Sequence, residues 1–266
     1  MDDPGSAATG RGQHFIVHNL DWLWLIFAGF GGGLAGSIAG LASLVSYPAL
    51  LAIGLPPVTA NVTNTVSLVF NSTGSIWGSR PELAGQSGRI KWLAPTAVAG
   101  GIAGGLLLLA LPSRSFTLIV PFLIGFASLG VLVRRNPTRA KTSAAHPPSW
   151  SLTVWVFFIG VYGGYFGAAA GVLMLAVLLF STGESLPKSN AMKNLLLGGA
   201  NGVAAIAFII FGSVRWSAAI PLAIGFLMGG RLGPEIVRRA PTRPLRFFIA
   251  SAGLVLAVHL GLSAYR

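Results

Sequence analysis

Two glycine-rich stretches decide the fold of this chain: GFGGGLAGSIAG at residues 29–40 and GVYGGYFGAAAG at residues 160–171. Five of their glycines keep the same spacing, 131 residues apart. The first stretch lies in a segment of 58 uncharged residues between Asp21 and Arg80. A duplicated apolar segment that is interrupted by glycines is typical of membrane carriers built from two repeats with broken helices.

The composition excludes a soluble protein. Of the 266 residues, 53% are hydrophobic and only 9% are charged, whereas soluble domains carry about 25% charged residues. The chain has no cysteine, which excludes a disulfide scaffold, thiol catalysis and thiolate metal sites. The net charge of +12 fits basic cytoplasmic loops better than a nucleic-acid partner. We therefore expect an all-α polytopic membrane protein in contact with the lipid bilayer.

The repeat extends beyond the glycines. The stretch GLPPVTANVTN at 54–64 aligns with ESLPKSNAMKN at 184–194, and the same offset of 130 pairs Asn71 with Asn201. The polar, proline-rich run at 134–149 separates the two copies. We predict two halves of about four transmembrane segments each, within four parts of the chain: a polar segment at 1–20, repeat 1 at 21–133, a central linker at 134–149 and repeat 2 at 150–266.

The topology follows from the segment Trp22–Leu55, which is too long for one span and short for two. If the chain reverses at its glycine cluster, each half crosses the membrane an odd number of times and the repeats are inverted. Fourteen of the 18 lysines and arginines then share the side of the central linker, as the positive-inside rule favours. Eight plain crossings would instead place ten of these lysines and arginines on one side of the membrane and eight on the other. We predict a cytoplasmic linker, with both termini on the opposite side.

These motifs also carry a family resemblance. The glycine-rich openings, the A-x-x-T-N and A-M-K-N stretches at 60–64 and 191–194, and the later spans that follow Trp92 and Trp216 resemble the sulfite exporter TauE/SafE family of membrane transporters. The resemblance covers about Trp22 to Gly261. It implies a multi-pass protein of the cell (plasma or inner) membrane that moves sulfite, a sulfonate or a related sulfur-containing or organic anion. It leaves the coupling ion open, and a homodimer is one arrangement compatible with it.

Neutral polar side chains recur at matching places in the two halves. Amide and hydroxyl donors, together with the N-terminal ends of broken helices, can hold an oxyanion. Each of these residues also has an alternative role. The amides could bond across helices and the glycines could allow close helix packing. The lysine could reach the membrane surface. We predict a substrate site near the midplane, with glycine breaks exposing backbone N–H groups, formed by Asn64, Asn71, Asn194, Asn201, Lys193, Thr63, Gly33 and Gly164.

Other chemistry has few candidate residues. All six acidic residues lie near predicted span ends or in polar segments, and the four histidines do not cluster. No phosphate-binding G-x-x-x-x-G-K-[ST] motif occurs. We therefore expect no catalytic residues, no metal, no cofactor and no use of ATP. The alternative is a membrane-embedded enzyme or assembly factor that uses the same helical scaffold.

Overall fold

The structure, a computed structural model, describes residues 19–133 and 150–239, together with nine helical residues near the C-terminus at 251, 254–255, 257–259 and 261–263. Every regular element in these ranges is helical, so the predicted all-α architecture is confirmed. Most of the predicted N-terminal segment and the whole predicted linker, 134–149, lie outside the described residues.

The described residues between 19 and 239 form ten helices. They are α1 (Asn19–Ala39), α2 (Ala42–Ala52), α3 (Pro57–Gly78), α4 (Arg80–Leu83), α5 (Ser87–Ala110), α6 (Ser113–Val133), α7 (Trp150–Tyr165), α8 (Ala170–Thr182), α9 (Leu186–Phe211) and α10 (Trp216–Arg239).

Four of the described helices are long and apolar enough to cross a membrane: α1, α5, α9 and α10. Helix α3 has a similar length, 22 residues, and carries asparagines, serines and threonines along its whole length. Its asparagines, serines and threonines are mostly buried inside the protein, which lets a polar helix lie at the centre of an apolar molecule. Helices α3 and α9 pack together in opposite directions there, because Gly198 faces Ser72 whereas Gly212 faces Val62.

The first helix of each half packs closely on a later helix of the other half, α1 on α10 and α7 on α5. Glycines make this approach possible. A Cβ atom on Gly33 would meet the backbone of Gly229 and Gly230, and one on Gly164 would meet the backbone of Gly101. The prediction of helix breaks at Gly33 and Gly164 is therefore wrong: both lie inside continuous helices, where they let two backbones come together.

The breaks occur later in each glycine-rich stretch. Gly40 has a φ of +77° and ends α1. Helix α2 then runs back along α1, since Gly36 faces Ala42 and Gly32 faces Ser46. The predicted reversal in Trp22–Leu55 is thus present, at the C-terminal edge of the glycine cluster.

In the second half, the chain breaks between α7 and α8. Gly167 and Ala169 adopt positive φ angles of +73° and +56° there. The two breaks also approach each other directly, because Gly40 lies against the backbone of Gly171.

Candidate functional site

A cavity of about 40 Å³ lies where the two breaks meet. It can hold at least one water molecule, which needs about 10–15 Å³ on this measure. Its wall combines polar side chains with glycine, alanine and leucine. The lining residues are Gly36, Gly40, Ala42, Ser43, Leu68, Asn71, Ser72, Gly167, Ala170, Gly171, Lys193, Asn194, Leu197 and Asn201.

Two helices begin at the cavity. Helix α2 starts at Ala42, and Ala42 and Ser43 line the wall; helix α8 starts at Ala170, and Ala170 and Gly171 line the wall. The first N–H groups of a helix have no partner within the helix and carry the positive end of its dipole. Two such ends at one cavity favour a negatively charged ligand.

Lys193 is the charged residue of the cavity wall. Its side chain, with only 1% of its surface exposed, reaches from α9 to the end of α1. The ammonium donates to the carbonyl oxygens of Gly36 at 2.9 Å and Ser37 at 3.2 Å. These carbonyls belong to the last turn of α1, where the helix dipole is negative. The contacts orient the lysine and leave it beside the cavity.

The charge of Lys193 has no carboxylate partner within residues 19–133 and 150–239. All five ion pairs of those ranges involve other residues. Carbonyl dipoles stabilise an ammonium without neutralising it, and a buried net charge is costly. An anion that entered the cavity would supply the missing negative charge.

Two amides from the middle of α3 and α9, those of Asn71 and Asn201, line the cavity. The side-chain nitrogen of Asn71 lies beside Gly36, another lining residue, and is the group that can donate to an anion. Its side-chain oxygen lies against Gly230 of α10, without a hydrogen-bond partner among the described residues. Asn194, which also lines the cavity, donates a long bond of 3.4 Å to the Ser37 carbonyl.

The other predicted site residues lie outside the cavity wall. The Asn64 amide accepts from Ser46 Oγ at 2.6 Å and donates to Ser43 Oγ at 3.1 Å, so it supports a lining residue from behind. The Thr63 hydroxyl accepts from the Arg215 backbone N–H at 3.0 Å and fixes the turn before α10. Gly33 and Gly164 serve the helix packing described above.

The structure adds residues that the prediction did not include. Asn190 donates to the Ser37 carbonyl at 2.9 Å, one helical turn before Lys193. In the other half, Asn61 donates to the carbonyl of Tyr165, the last residue of α7, at 2.9 Å. Ser43 and Ser72 line the cavity. The sequence signal for the two asparagines is their position in the first turns of α3 and α9, shortly after a proline.

The chemistry of the described residues favours binding over catalysis. No group of three histidine, aspartate or glutamate side chains in them is arranged to hold a metal ion. The cavity offers an ammonium, amides, hydroxyls and helix N-termini, all of which stabilise a bound anion.

Comparison with known proteins gives relatives along almost the whole chain. The chain is 26% identical over 254 residues to "Probable membrane transporter protein ORF9" of Sinorhizobium sp, covering 93% of this chain and 94% of the relative. It is 27% identical over 248 residues to "Probable membrane transporter protein YfcA" of Escherichia coli (strain K12), covering 92% and 91%. For "Probable membrane transporter protein YunE" of Bacillus subtilis (strain 168), identity is 24% over 255 residues, covering 85% and 92%. No solved structure gives a significant match.

The family comparison agrees with the resemblance seen in the motifs. The profile of the family described as "Sulfite exporter TauE/SafE" matches residues 25–260. The full-length relatives are named as membrane transporters, and the described helices include four able to span a bilayer. The chain therefore belongs to the TauE/SafE sulfite exporter family and is a multi-pass transporter of the cell membrane.

Proposed function

We propose that this chain is a secondary carrier of a small anion, namely sulfite, a sulfonate or a related sulfur-containing or organic anion. The observation that supports this proposal most is the position of Lys193. Its buried ammonium lies at a cavity wall that also includes two helix N-termini and three asparagines. Asn71, Asn194 and Asn201 supply hydrogen bonds to the anion, and Asn64 positions Ser43 behind them. Gly33, Gly164 and Thr63 act in packing and folding only.

The carrier is made of two inverted repeats, residues 21–133 and 150–266, in this proposal. Several contacts support the repeat. Gly40 and Gly171, which the sequence alignment pairs, touch each other, as repeat mates near a two-fold axis would. Helix α1 packs on α10 and its mate α7 packs on α5. Gly36 and Gly167, another aligned pair, both line the cavity.

The inverted arrangement gives the carrier a means of alternating access. The cavity lies between elements of both halves, since α1, α2 and α3 contribute one part of the wall and α8 and α9 the other. A movement of one half against the other would open it to either side of the membrane.

Transport by the purified protein in proteoliposomes tests the proposal. Sulfite, thiosulfate, methanesulfonate, taurine and acetate would be supplied in turn, and uptake would be compared with empty liposomes. We expect saturable uptake of at least one anion, competition between accepted anions, and no uptake of neutral glycerol. Lack of saturable uptake of every anion, by protein that melts cooperatively, would contradict the proposal.

A pair of lysine variants shows whether the cavity is the site. Lys193→Met removes the buried ammonium and keeps the length of the side chain, whereas Lys91→Met removes an exposed positive charge near the start of α5. We expect saturable uptake to be lost in the first and kept in the second. Equal uptake by both variants would place the anion elsewhere.

A further inference from the structure

We propose that the cavity is balanced for an anion of one negative charge and discriminates against anions of two. The inference rests on the proposed function and concerns the charge class of the substrate. Its basis is the number of charges around the cavity, which contains one ammonium and no second cation among its lining residues.

The helix ends contribute little net charge. Each break brings one C-terminal and one N-terminal helix end together: α1 with α2, and α7 with α8. Helix ends carry opposite partial charges of similar size, about half an elementary charge each. The two N-terminal ends therefore act at the cavity as local N–H donors, the C-terminal ends beside them offset their charge, and Lys193 sets the net charge.

The size and character of the wall support the same conclusion. The cavity is small, about 40 Å³, and its polar lining side chains are buried. Leu68 and Leu197 also line it, and their side chains offer no donor to a charged oxygen. An uncompensated second charge would be buried there at high cost.

Methanesulfonate and sulfate are suitable probes because they have nearly the same tetrahedral shape, while a methyl group replaces one charged oxygen. Binding to the purified protein would be measured by calorimetry at neutral pH and constant ionic strength. We expect methanesulfonate to bind at least about 100-fold more tightly than sulfate, the effect of a few kcal/mol of uncompensated charge. Sulfite would then be carried as hydrogensulfite.

A variant with a second positive charge in the cavity tests the same inference in the opposite direction. Asn201→Lys adds an ammonium to the cavity wall and should shift the preference toward sulfate by at least about 10-fold. Asn201→Gln keeps the amide and should leave the preference unchanged. If Asn201→Lys does not fold, Ser72→Lys adds a charge to the same wall from α3.

The outcomes separate this inference from the function on which it rests. Sulfate that binds to the native protein as tightly as methanesulfonate would overturn the charge selectivity and leave an anion carrier. No binding of these probes, together with no uptake of any anion in proteoliposomes, would overturn both.

A second inference rests on a separate group of residues at one end of the molecule. Five ion pairs lie there, and two of them join the two halves. Arg89 Nη1 contacts Glu184 Oε1 at 2.6 Å, and Arg238 Nε contacts Glu82 Oε1 at 2.7 Å. The Gln86 amide lies between them and donates to the Lys188 carbonyl at 3.2 Å.

These pairs stabilise the charged forms of their acids. The hydrogen bond from Arg89 is the main reason that the pKa of Glu184 lies below its ordinary value, and the bond from Arg238 does the same for the pKa of Glu82. Both acids therefore stay ionised, and both pairs stay formed, near neutral pH. Lys188 lies five residues before Lys193 in α9, about 7.5 Å along the helix, so the pairs lie just beyond the cavity.

From this geometry we infer an ionic latch, formed by Glu82–Arg238 and Arg89–Glu184, that holds the two halves together at the end of the 79–91 loop. The latch favours the conformation that is closed at its own end. Opening the cavity to that side requires both pairs to separate.

A cysteine in the cavity reports on the latch, because the native chain has none. The labelling rate of a Ser72→Cys protein by an impermeant thiol reagent would be measured from each face of sealed vesicles. Adding Glu82→Gln and Glu184→Gln together should increase labelling by roughly 2- to 30-fold from the face of the 79–91 loop, since about 0.2–1 kcal/mol per pair is lost.

Glu235→Gln is the matched control, because Glu235 pairs only with Arg238 and Arg239 of its own helix. It should leave labelling unchanged. Arg89→Gln with Arg238→Gln breaks the same two latch pairs from the other partner and should reproduce the increase. Unchanged labelling in both latch variants, with normal melting temperatures, would overturn the latch.

Discussion

The two helix breaks come from matching sequence but differ in what stabilises them. At the first break, the carbonyl groups at the end of α1 accept from Lys193, Asn190 and Asn194. At the second, the end of α7 accepts from the neutral amide of Asn61. The Tyr162 hydroxyl donates to the Ala168 carbonyl at 2.6 Å within the break itself. One break therefore carries a cation and the other carries none.

In the proposed carrier, this difference gives the cavity its substrate preference. Both breaks provide helix ends and glycines that allow close contact. The charge lies on one side only, because position 193 is lysine whereas its aligned position in the first half is Thr63. Under the proposed function, the matching elements form the cavity and the unmatched lysine selects its ligand.

The largest expected effect comes from the two capping side chains. Lys193→Met should weaken methanesulfonate binding by roughly 100-fold or more, since a charge-assisted bond of about 1.5–3 kcal/mol is lost along with charge balance. Asn61→Leu removes the neutral cap of α7 and should lower the melting temperature while binding stays within a few-fold of native. Calorimetric binding on both variants measures the contrast. Equal losses of affinity would remove the functional distinction between the breaks.

The next effect concerns the contact between the breaks. Gly40→Ala should destabilise the protein by about 2–5 kcal/mol, since it combines strain at positive φ with overpacking against the Gly171 backbone. Gly85 also has a positive φ, +79°, but nothing lies within 4 Å of an added Cβ. Gly85→Ala should therefore cost only the strain, about 1–2 kcal/mol. Melting temperatures that fall equally would show that the contact contributes nothing.

The paired amides provide a smaller test. Asn71→Ala and Asn201→Ala should each weaken anion binding by about 10-fold, the value of one hydrogen bond to a charged group. The two effects should agree to within roughly a factor of three if the amides occupy equivalent positions. An effect confined to Asn201 would extend the asymmetry of the breaks to the amides.

A glycine at position 169, in the second break, should increase the stability of the folded protein. Ala169 adopts a φ of +56°, a conformation that costs a non-glycine residue about 1–2 kcal/mol. Ala169→Gly relieves this strain but raises the entropy of the unfolded chain, so we expect a net gain of about 0.5 kcal/mol. Thermal unfolding in detergent would detect it. A clear loss of stability would mean that the methyl group of Ala169, which is buried, contributes more packing than the strain costs.

The smallest expected effect is the pH dependence of the melting temperature, which comes from the ionic latch and not from the breaks. Glu184 and Glu82 have lowered pKa values in the folded protein, so their ion pairs stabilise it above the unfolded carboxyl pKa of about 4.3. This contribution is lost as the pH falls through the lower folded value. Melting temperatures of the native protein should drop more between pH 5 and pH 3 than those of the Glu82→Gln/Glu184→Gln variant. Parallel curves would contradict the pairing.

Much of the fold could be read from the sequence. Charge depletion identified the membrane class, and the glycine-rich segment that is too long for one span indicated a reversal. Three of the predicted site asparagines and Lys193 line the cavity, because residues three, four and seven positions apart share one face of a helix. Asn64 was placed on the correct helix but bonds to serines behind the wall. Its partners come from α2, and sequence spacing does not specify contacts between helices.

The sequence itself determined three features: membrane insertion, the family, and the positions of the polar side chains along α3 and α9. It could do so because hydropathy and helical periodicity are local properties. Which glycines break a helix was decided only by the tertiary structure. Gly33 stays helical because the backbone of α10 packs against it, whereas Gly40 turns because it meets the backbone of Gly171. The tertiary structure also decided the direction in which the side chain of Lys193 points. A lysine near a helix end can reach water or protein, and here the carbonyls in the last turn of α1 hold it at the cavity.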